Sequence, residues 1–119
     1  MTTNAEIEQH NRELDDLIRA GRSAEAFERF YAEDVTMQEN LEAPCVGKEA
    51  NRQREAAFFA SITEVHEVSV HAQGAGDGVT FSESTFDVTL ANGARVTMNQ
   101  VATRRWRNGQ IIHERFYHS

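Results

Sequence analysis

Two Asn-Gly pairs, at residues 92–93 and 108–109, limit most strongly what this chain can fold into. Asn-Gly readily adopts the positive φ angles of a tight hairpin turn. Alternating apolar and polar residues flank both pairs, in residues 79–90, 95–107 and 110–118. Such alternation is typical of strands with one buried face, so the pattern predicts three antiparallel strands joined by hairpins. A fourth strand is predicted at residues 64–72, before a glycine-rich turn.

The first half of the chain has a helical pattern. Apolar residues recur at the helical period in residues 5–20, 23–31 and 48–61, and a short alternating run at 35–39 predicts a strand. Helices gathered before strands indicate an α+β fold rather than alternating α/β units. We interpret residues 1–119 as one domain. A long twisted sheet must cover one face with the helices, and its curvature can leave a cavity there.

The charge balance narrows the classes of partner. The formal net charge is −7, whereas nucleic acid or an anionic membrane would favour a basic surface, so we expect neither partner. No apolar run approaches the roughly 20 residues of a membrane span. The first residues show no signal-peptide pattern, and the single cysteine, Cys45, cannot form an internal disulfide. We therefore expect a cytoplasmic protein.

The last predicted strand carries an acid between apolar residues. Strict alternation places one set on the cavity side, namely Ile112, Glu114, Phe116 and His118. It places the other set on the opposite side, facing a dimer partner or solvent, namely Ile111, His113, Arg115 and Tyr117. A strand that only filled a core would not need Glu114 at this position. His113 and His118 are five residues apart and so fall on opposite faces, which argues against a metal site.

Three short segments resemble a known family. They are residues 30–36 (Phe-Tyr-Ala-Glu-Asp-Val-Thr), residues 46–50 (Val-Gly-Lys-Glu-Ala), and residues 106–111 (Trp-Arg-Asn-Gly-Gln-Ile) followed by 114–117. Their order and spacing resemble the SnoaL-like branch of the nuclear-transport-factor-2-like superfamily. The resemblance implies a cone-shaped barrel, in which a long curved, mainly antiparallel sheet carries three N-terminal-half helices on its concave face. It also implies isomerase, cyclase, dehydratase or epoxide hydrolase chemistry, or binding without catalysis.

The resemblance suggests where catalytic groups would lie. In the isomerase relatives the general base follows the Tyr-Ala-acid-acid phrase on the first strand, which corresponds here to Glu39. Alternation with Val35 and Met37 also turns Glu39 inward, where partial desolvation would raise its pKa. The alternative is a solvated carboxylate at the strand end. The isomerases' oxyanion donors fall near Leu14 and at Ala102, neither of which donates a hydrogen bond, so steroid isomerisation by that mechanism is not supported.

We therefore predict Glu39 as general base and Glu114 as general acid or orienting partner, without a metal or cofactor. Glu83 and Glu114, the acids on the long strands, could instead belong to a structural network satisfied by Arg104, Arg115 or Gln100. The predicted ligand-binding residues are Met37, Phe58, Phe81, Glu83, Met98, Gln100, Ile112 and Phe116, with Thr85 on the same face as Phe81.

The predicted function is binding of a small apolar or cyclic molecule in a conical pocket, with cofactor-free proton transfer of the isomerase, cyclase or dehydratase type. The alternative is a non-catalytic ligand-binding or dimeric assembly module of the same fold. The face opposite the pocket carries Thr97, Asn99, Val101 and Thr103 and has no helix left to cover it. Such a face suggests self-association, so we expect a homodimer.

Overall fold

The computed structural model describes residues 3–119, which form three α-helices and six β-strands. The helices are α1 (Asn4–Arg19), α2 (Ser23–Phe30) and α3 (Lys48–Ala60). The strands are β1 (Tyr31–Glu39), β2 (Cys45–Val46), β3 (Ile62–Gly76), β4 (Val79–Leu90), β5 (Arg95–Arg107) and β6 (Gln110–His118). Within residues 3–119, no helix is long and apolar enough to cross a membrane.

All six strands form one sheet in the order β2-β1-β6-β5-β4-β3. The four long strands β3 to β6 are an antiparallel meander, and β6 pairs with β1 in parallel. Both Asn-Gly pairs form the predicted hairpins, with Gly93 at φ 85° and Gly109 at φ 78°, conformations that glycine adopts without steric cost. The α+β class and the packing of three helices on the sheet are confirmed, and the sheet remains open rather than closing into a barrel.

The helices cover one face of the sheet, called here the concave face. Even-numbered residues of β4 and β5 point to it, since Ser82 bonds to Asn11 of α1 and Arg104 bonds to Asp15. The apolar core lies between α1, α2 and the neighbouring end of the sheet, and includes Ile7, Leu14, Phe27, Phe30, Val35, Trp106 and Ile111. Each such side chain contributes about 1.5–3 kcal/mol through burial.

A β-bulge at Ile112 changes the predicted faces of the last strand. Trp106 pairs with Ile111, whereas Arg105 pairs with His113, so Ile112 is an extra residue without a partner on β5. Alternation restarts after the bulge. Ile111 is therefore fully buried in the core, and its predicted position on the outer face is wrong. Ile112, predicted to face the cavity, is the half-buried residue of the bulge itself.

The predicted orientation of β4 is also wrong. Phe81 pairs with Thr103 and Glu83 pairs with Val101, whereas the helix-facing residue between them, Ser82, pairs with Ala102. Phe81 and Glu83 therefore lie on the opposite, convex face, where Phe81 is 44% exposed. Thr85 shares that face and hydrogen-bonds there to His71 and Asn99. The strand begins one residue out of phase with the alignment that the resemblance suggested.

Candidate functional site

The carboxylate of Glu114, on β6, lies on the concave face and is fully buried. The hydroxyl of Tyr31, the first residue of β1, donates to both carboxylate oxygens at 2.7 and 2.8 Å. Arg104 on β5 donates to the same group from Nε at 2.7 Å. Burial, followed by the Glu114 charge, raises the pKa of Tyr31 well above its usual value, which keeps this hydroxyl a donor.

Arg104 joins Glu114 to a second buried acid. Its Nη1 atom donates to Asp15 at 2.9 Å and to Asn11 at 2.7 Å, both on α1. Asp15 also accepts hydrogen bonds from Ser82 at 2.6 Å and Gln73 at 2.8 Å. These contacts satisfy both carboxylates and connect α1 directly to three strands, β3, β4 and β5. Glu114 thus takes the structural alternative, with Arg104 as partner, and exposes no oxygen to a ligand.

Glu55, a residue that the sequence did not single out, is an acid whose carboxylate has no close cationic partner. It lies on α3 one turn after Asn51, which is itself buried and donates to the carbonyls of Cys45 and Gly47. The Glu55 side chain is 25% exposed, and its nearest cationic contact is Nη2 of Arg54 at 3.4 Å. Burial, reinforced by the charges of Glu114 and Glu39, raises the pKa of Glu55 to about 7. A carboxyl of this kind can donate or accept a proton at neutral pH.

Glu39 lies at the rim rather than in the interior. Its side chain is 34% exposed, and His118 approaches Oε2 with Nε2 at 2.8 Å. Nη1 of Arg54 lies 3.5 Å from the other oxygen, Oε1. The hydrogen bond with Glu39 raises the pKa of His118. A cavity of about 240 Å³ opens beside this cluster, lined by Met37, Glu39, Glu42, Ala43, Cys45 and Arg54.

Comparison with known proteins now identifies the family. The family model described as "SnoaL-like domain" matches residues 2–118. The chain belongs to this SnoaL-like family. A Mesorhizobium loti protein provisionally described as a SnoaL-like polyketide cyclase is 34% identical, with 98% of this chain and 99% of that chain covered and a TM-score of 0.84. Comparison with curated protein sequences finds no significant match.

More distant structures share the SnoaL-like fold alone. An NTF2-like protein of unknown function from Burkholderia pseudomallei is 18% identical, covers 100% of this chain and 92% of its own, and has a TM-score of 0.79. A Mycobacterium tuberculosis protein described as an LEH-like epoxide hydrolase is 14% identical, with 98% of this chain and 84% of that chain covered and a TM-score of 0.77. At these identities the likeness extends to architecture and not to individual side chains.

The concave face of this SnoaL-like domain brings together part of the predicted ligand set. Gln100 pairs with His118, and Phe116 pairs with Ala102 and Glu39, so these side chains follow one another across the sheet. Met98 is two residues from Gln100 on the same face. Phe58 lies one turn after Glu55 on α3 and is half-buried. Met37 is buried beside Glu114 in the β1–β6 ladder. Phe81 and Glu83 are excluded from this group by their position on the convex face.

Within residues 3–119, no group of three or more His, Cys, Asp or Glu side chains is arranged to hold a metal ion. Sequence reasoning missed Glu55, Arg54 and Asp15. For Asp15 there was a signal, because it directly follows Leu14 on the apolar side of a helix, where an unpaired acid would be costly. For Glu55 the signal was its position between Asn51 and Phe58, which share its side of α3.

Proposed function

We propose that this SnoaL-like domain binds a small apolar or cyclic molecule on its concave face and transfers a proton to or from it through Glu55. The observation that carries the proposal is the setting of the Glu55 carboxyl. It borders an ion-paired network that already satisfies Glu114, yet its own closest cationic contact is a long one, 3.4 Å from Arg54. A partly desolvated carboxyl without a strong partner is a suitable acid–base group.

The surroundings of Glu55 support an apolar substrate. Phe58 follows on the same helix, and Phe116 lies half-buried on β6, two residues after Glu114. Apolar walls with a few polar groups are typical of small-molecule sites. A desolvated wall also sustains the raised pKa of Glu55, because burial disfavours the ionised form. Proton transfer by this carboxyl requires no further redox or Lewis-acid group.

The roles of the two predicted catalytic acids change accordingly. Glu114 supports the site from beneath: its charge contributes to the raised pKa of Glu55. Glu39 acts at the rim, where it holds His118 and lies beside Arg54. The Mesorhizobium loti protein is provisionally described as a SnoaL-like polyketide cyclase, with carbohydrate phosphatase given in brackets, and both names refer to small-molecule chemistry. The substrate of this chain is not inferred from those names.

A second function, binding without turnover, is favoured by one specific observation. Glu114 is fully engaged with Tyr31 and Arg104, so Glu55 has no second free carboxyl of equal depth beside it. Leu14 and Ala102, at the positions where the isomerase relatives place oxyanion donors, are buried apolar residues. In this version Glu55 is a neutral hydrogen-bond donor to the ligand.

Base-catalysed ring opening of nitrobenzisoxazole tests the assignment, because the reaction needs only removal of a carbon-bound proton and reports by absorbance. We expect catalysis above the buffer rate that increases with pH through about 7, as Glu55 ionises. Glu55→Gln should reduce the rate to background.

Glu49→Gln is the matched control, since Glu49 is an exposed acid on the same helix that pairs with Arg52. Its rate should equal that of the wild type. Binding of nitrobenzisoxazole without any rate enhancement, measured by fluorescence competition, would favour the non-catalytic module. A rate that survives Glu55→Gln would overturn the role given to Glu55.

A further inference from the structure

Two arginines are exceptions to the charge pairing of the rest of the chain. The sequence has 12 Lys and Arg residues and 19 Asp and Glu residues. Within residues 3–119, every Lys and Arg side chain except Arg105 and Arg115 forms an ion pair with an acid. Although acids are in excess, these two cations have no acidic partner there, and both lie beside the same residue, His113.

The pairing of β5 with β6 brings the three side chains together. Arg105 on β5 pairs with His113 on β6, and Arg115 follows two residues later on β6. Arg104 and Glu114, the residues next to them, meet on the concave face, so the three side chains point to the convex face. Side chains opposite each other on neighbouring strands have Cβ atoms about 5 Å apart. Residues two positions apart on one strand are about 7 Å apart, so all three side chains can reach one small ligand.

The guanidinium of Arg115 has a fixed orientation. Its Nε donates to the backbone carbonyl of Asn40 at 2.8 Å, and its Cζ lies 4.7 Å from the centre of the Tyr117 ring. Its two Nη atoms make no hydrogen bond to any residue between 3 and 119, which leaves both of them as donors. The exposed side chain of Arg105 likewise makes no hydrogen bond in that part of the chain. A forked donor that is already oriented loses little conformational freedom on binding.

The charges around His113 favour an anion. Burial, followed by the charges of Arg105 and Arg115, lowers the pKa of His113, and these effects outweigh the opposing effect of Glu114. The imidazole is therefore mainly neutral at pH 7, and the two guanidinium groups supply two positive charges. Thr36 on β1 pairs with His113 and adds a hydroxyl in the same row. The cluster thus combines two cations with neutral hydrogen-bonding groups, which suits a ligand with two negative charges.

We propose that Arg105, His113 and Arg115 form a second ligand site, on the convex face, which binds the phosphate group of a small phosphorylated molecule. The two guanidinium groups donate forked hydrogen bonds to the phosphate oxygens, and their charges balance those of the dianion. A carboxylate would engage one arginine and leave the other unpaired. Nucleic acid or an anionic membrane requires a broad basic surface, which a net charge of −7 does not favour. The site lies on the opposite face of the sheet from Glu55 and does not depend on the proposed function.

Titration of the wild-type protein with inorganic phosphate provides the test, with the imidazole carbon-bound protons followed by NMR and the ionic strength held constant with sodium chloride. The His113 signal, identified by its loss in His113→Gln, should shift and saturate at neutral pH. Its protonation midpoint should increase when phosphate is bound, because a nearby anion favours the charged imidazole. Arg105→Gln and Arg115→Gln should each weaken binding about tenfold or more, since each removes hydrogen bonds between charged groups.

Arg107→Gln is the matched control, because Arg107 is an exposed arginine two residues after Arg105 on the same strand and is paired with Asp34. Its phosphate affinity should equal that of the wild type. Equal weakening in Arg107→Gln and Arg105→Gln would overturn the site, as would a His113 signal that responds equally to sodium chloride alone. A signal that changes with protein concentration and not with phosphate would also overturn it, because an acid of a second copy would then occupy the cluster.

Discussion

The Nε atom of Arg104 lies 2.7 Å from Oε2 of Glu114, and neither side chain is more than 4% exposed. The same guanidinium reaches Asp15 at 2.9 Å, so a single cation lies between two buried acids. Removing one partner of a buried ion pair leaves an uncompensated charge, a far larger loss than removal of a surface pair.

Arg104→Met should therefore lower the free energy of unfolding by about 3–5 kcal/mol, measured by urea denaturation at neutral pH. Arg107→Met is the control, because Arg107 forms an exposed pair with Asp34, and its loss should lower the free energy of unfolding far less. Similar losses in the two variants would show that the buried network contributes no more than a surface pair.

Folding stability should decrease as the pH increases from about 5 to 8, through the ionisation of Glu55. The pKa of this carboxyl rises from 4.5 to about 7 on folding, so between these values the folded state holds a proton that the unfolded state has released. The contribution is present at low pH and lost above about 7. We expect a change on the order of 2 kcal/mol, since solvent reaches part of the side chain.

Glu55→Gln should remove this decrease, because glutamine carries no proton that ionises. Chemical denaturation of both proteins at several pH values gives the comparison, with Glu49→Gln as the exposed control. A wild-type profile that is flat between pH 5 and 8 would contradict the raised pKa.

His118 should lose part of its basicity in Glu39→Gln. Its pKa is raised mainly by the hydrogen bond with Glu39, so the imidazole should deprotonate at lower pH when the partner is neutral. Titration of the imidazole carbon-bound protons by NMR measures the change. Glu33→Gln, another β1 acid with an exposed side chain, should leave the titration unchanged. An unaltered midpoint in Glu39→Gln would indicate that the contact does not persist in solution.

The convex face should mediate a homodimer, an expectation from sequence that is retained as a prediction. Phe81 and Tyr117 are both more than 40% exposed there, and no helix within residues 3–119 packs over them. Tyr117 pairs with Val101, and Phe81 pairs with Thr103, the next convex-face residue of β5. Val101→Asp should convert the dimer to a monomer, as measured by light scattering at micromolar concentration. A monomeric wild type would refute the expectation, and an unaffected dimer would locate the interface elsewhere.

The fold was predictable from local chemistry. The Asn-Gly pairs specified two hairpins, and alternation specified the strands they join. On β5, where no irregularity intervenes, the predicted inward residues Met98, Gln100 and Ala102 do lie on the helix side. Three helices before a meander then left few arrangements that bury one sheet face.

The candidate site was predictable only in part, because its geometry depends on single-residue shifts and on distant partners. A bulge such as that at Ile112 adds one residue without a composition signal, and every side chain before it changes face relative to strict alternation. The partnership of Arg104 with Asp15 joins residues 89 positions apart. The acidity of Glu55 arises from charges on β1 and β6, which sequence spacing on α3 cannot reveal.

The extra residue at Ile112 divides β6 into two stretches with different roles, one in the core and one in the candidate site. Ile111, before the extra residue, is part of the apolar core. Glu114, Phe116 and His118, after it, lie on the concave face. Because the two stretches are out of phase, substitutions of the concave-face residues after Ile112 need not disturb the packing of Ile111 in the core. Deleting Ile112 would restore strict alternation, so that either Ile111 or Glu114 would turn away from the concave face. A single inserted residue thereby lets one short strand diversify its chemistry while its folding role stays fixed.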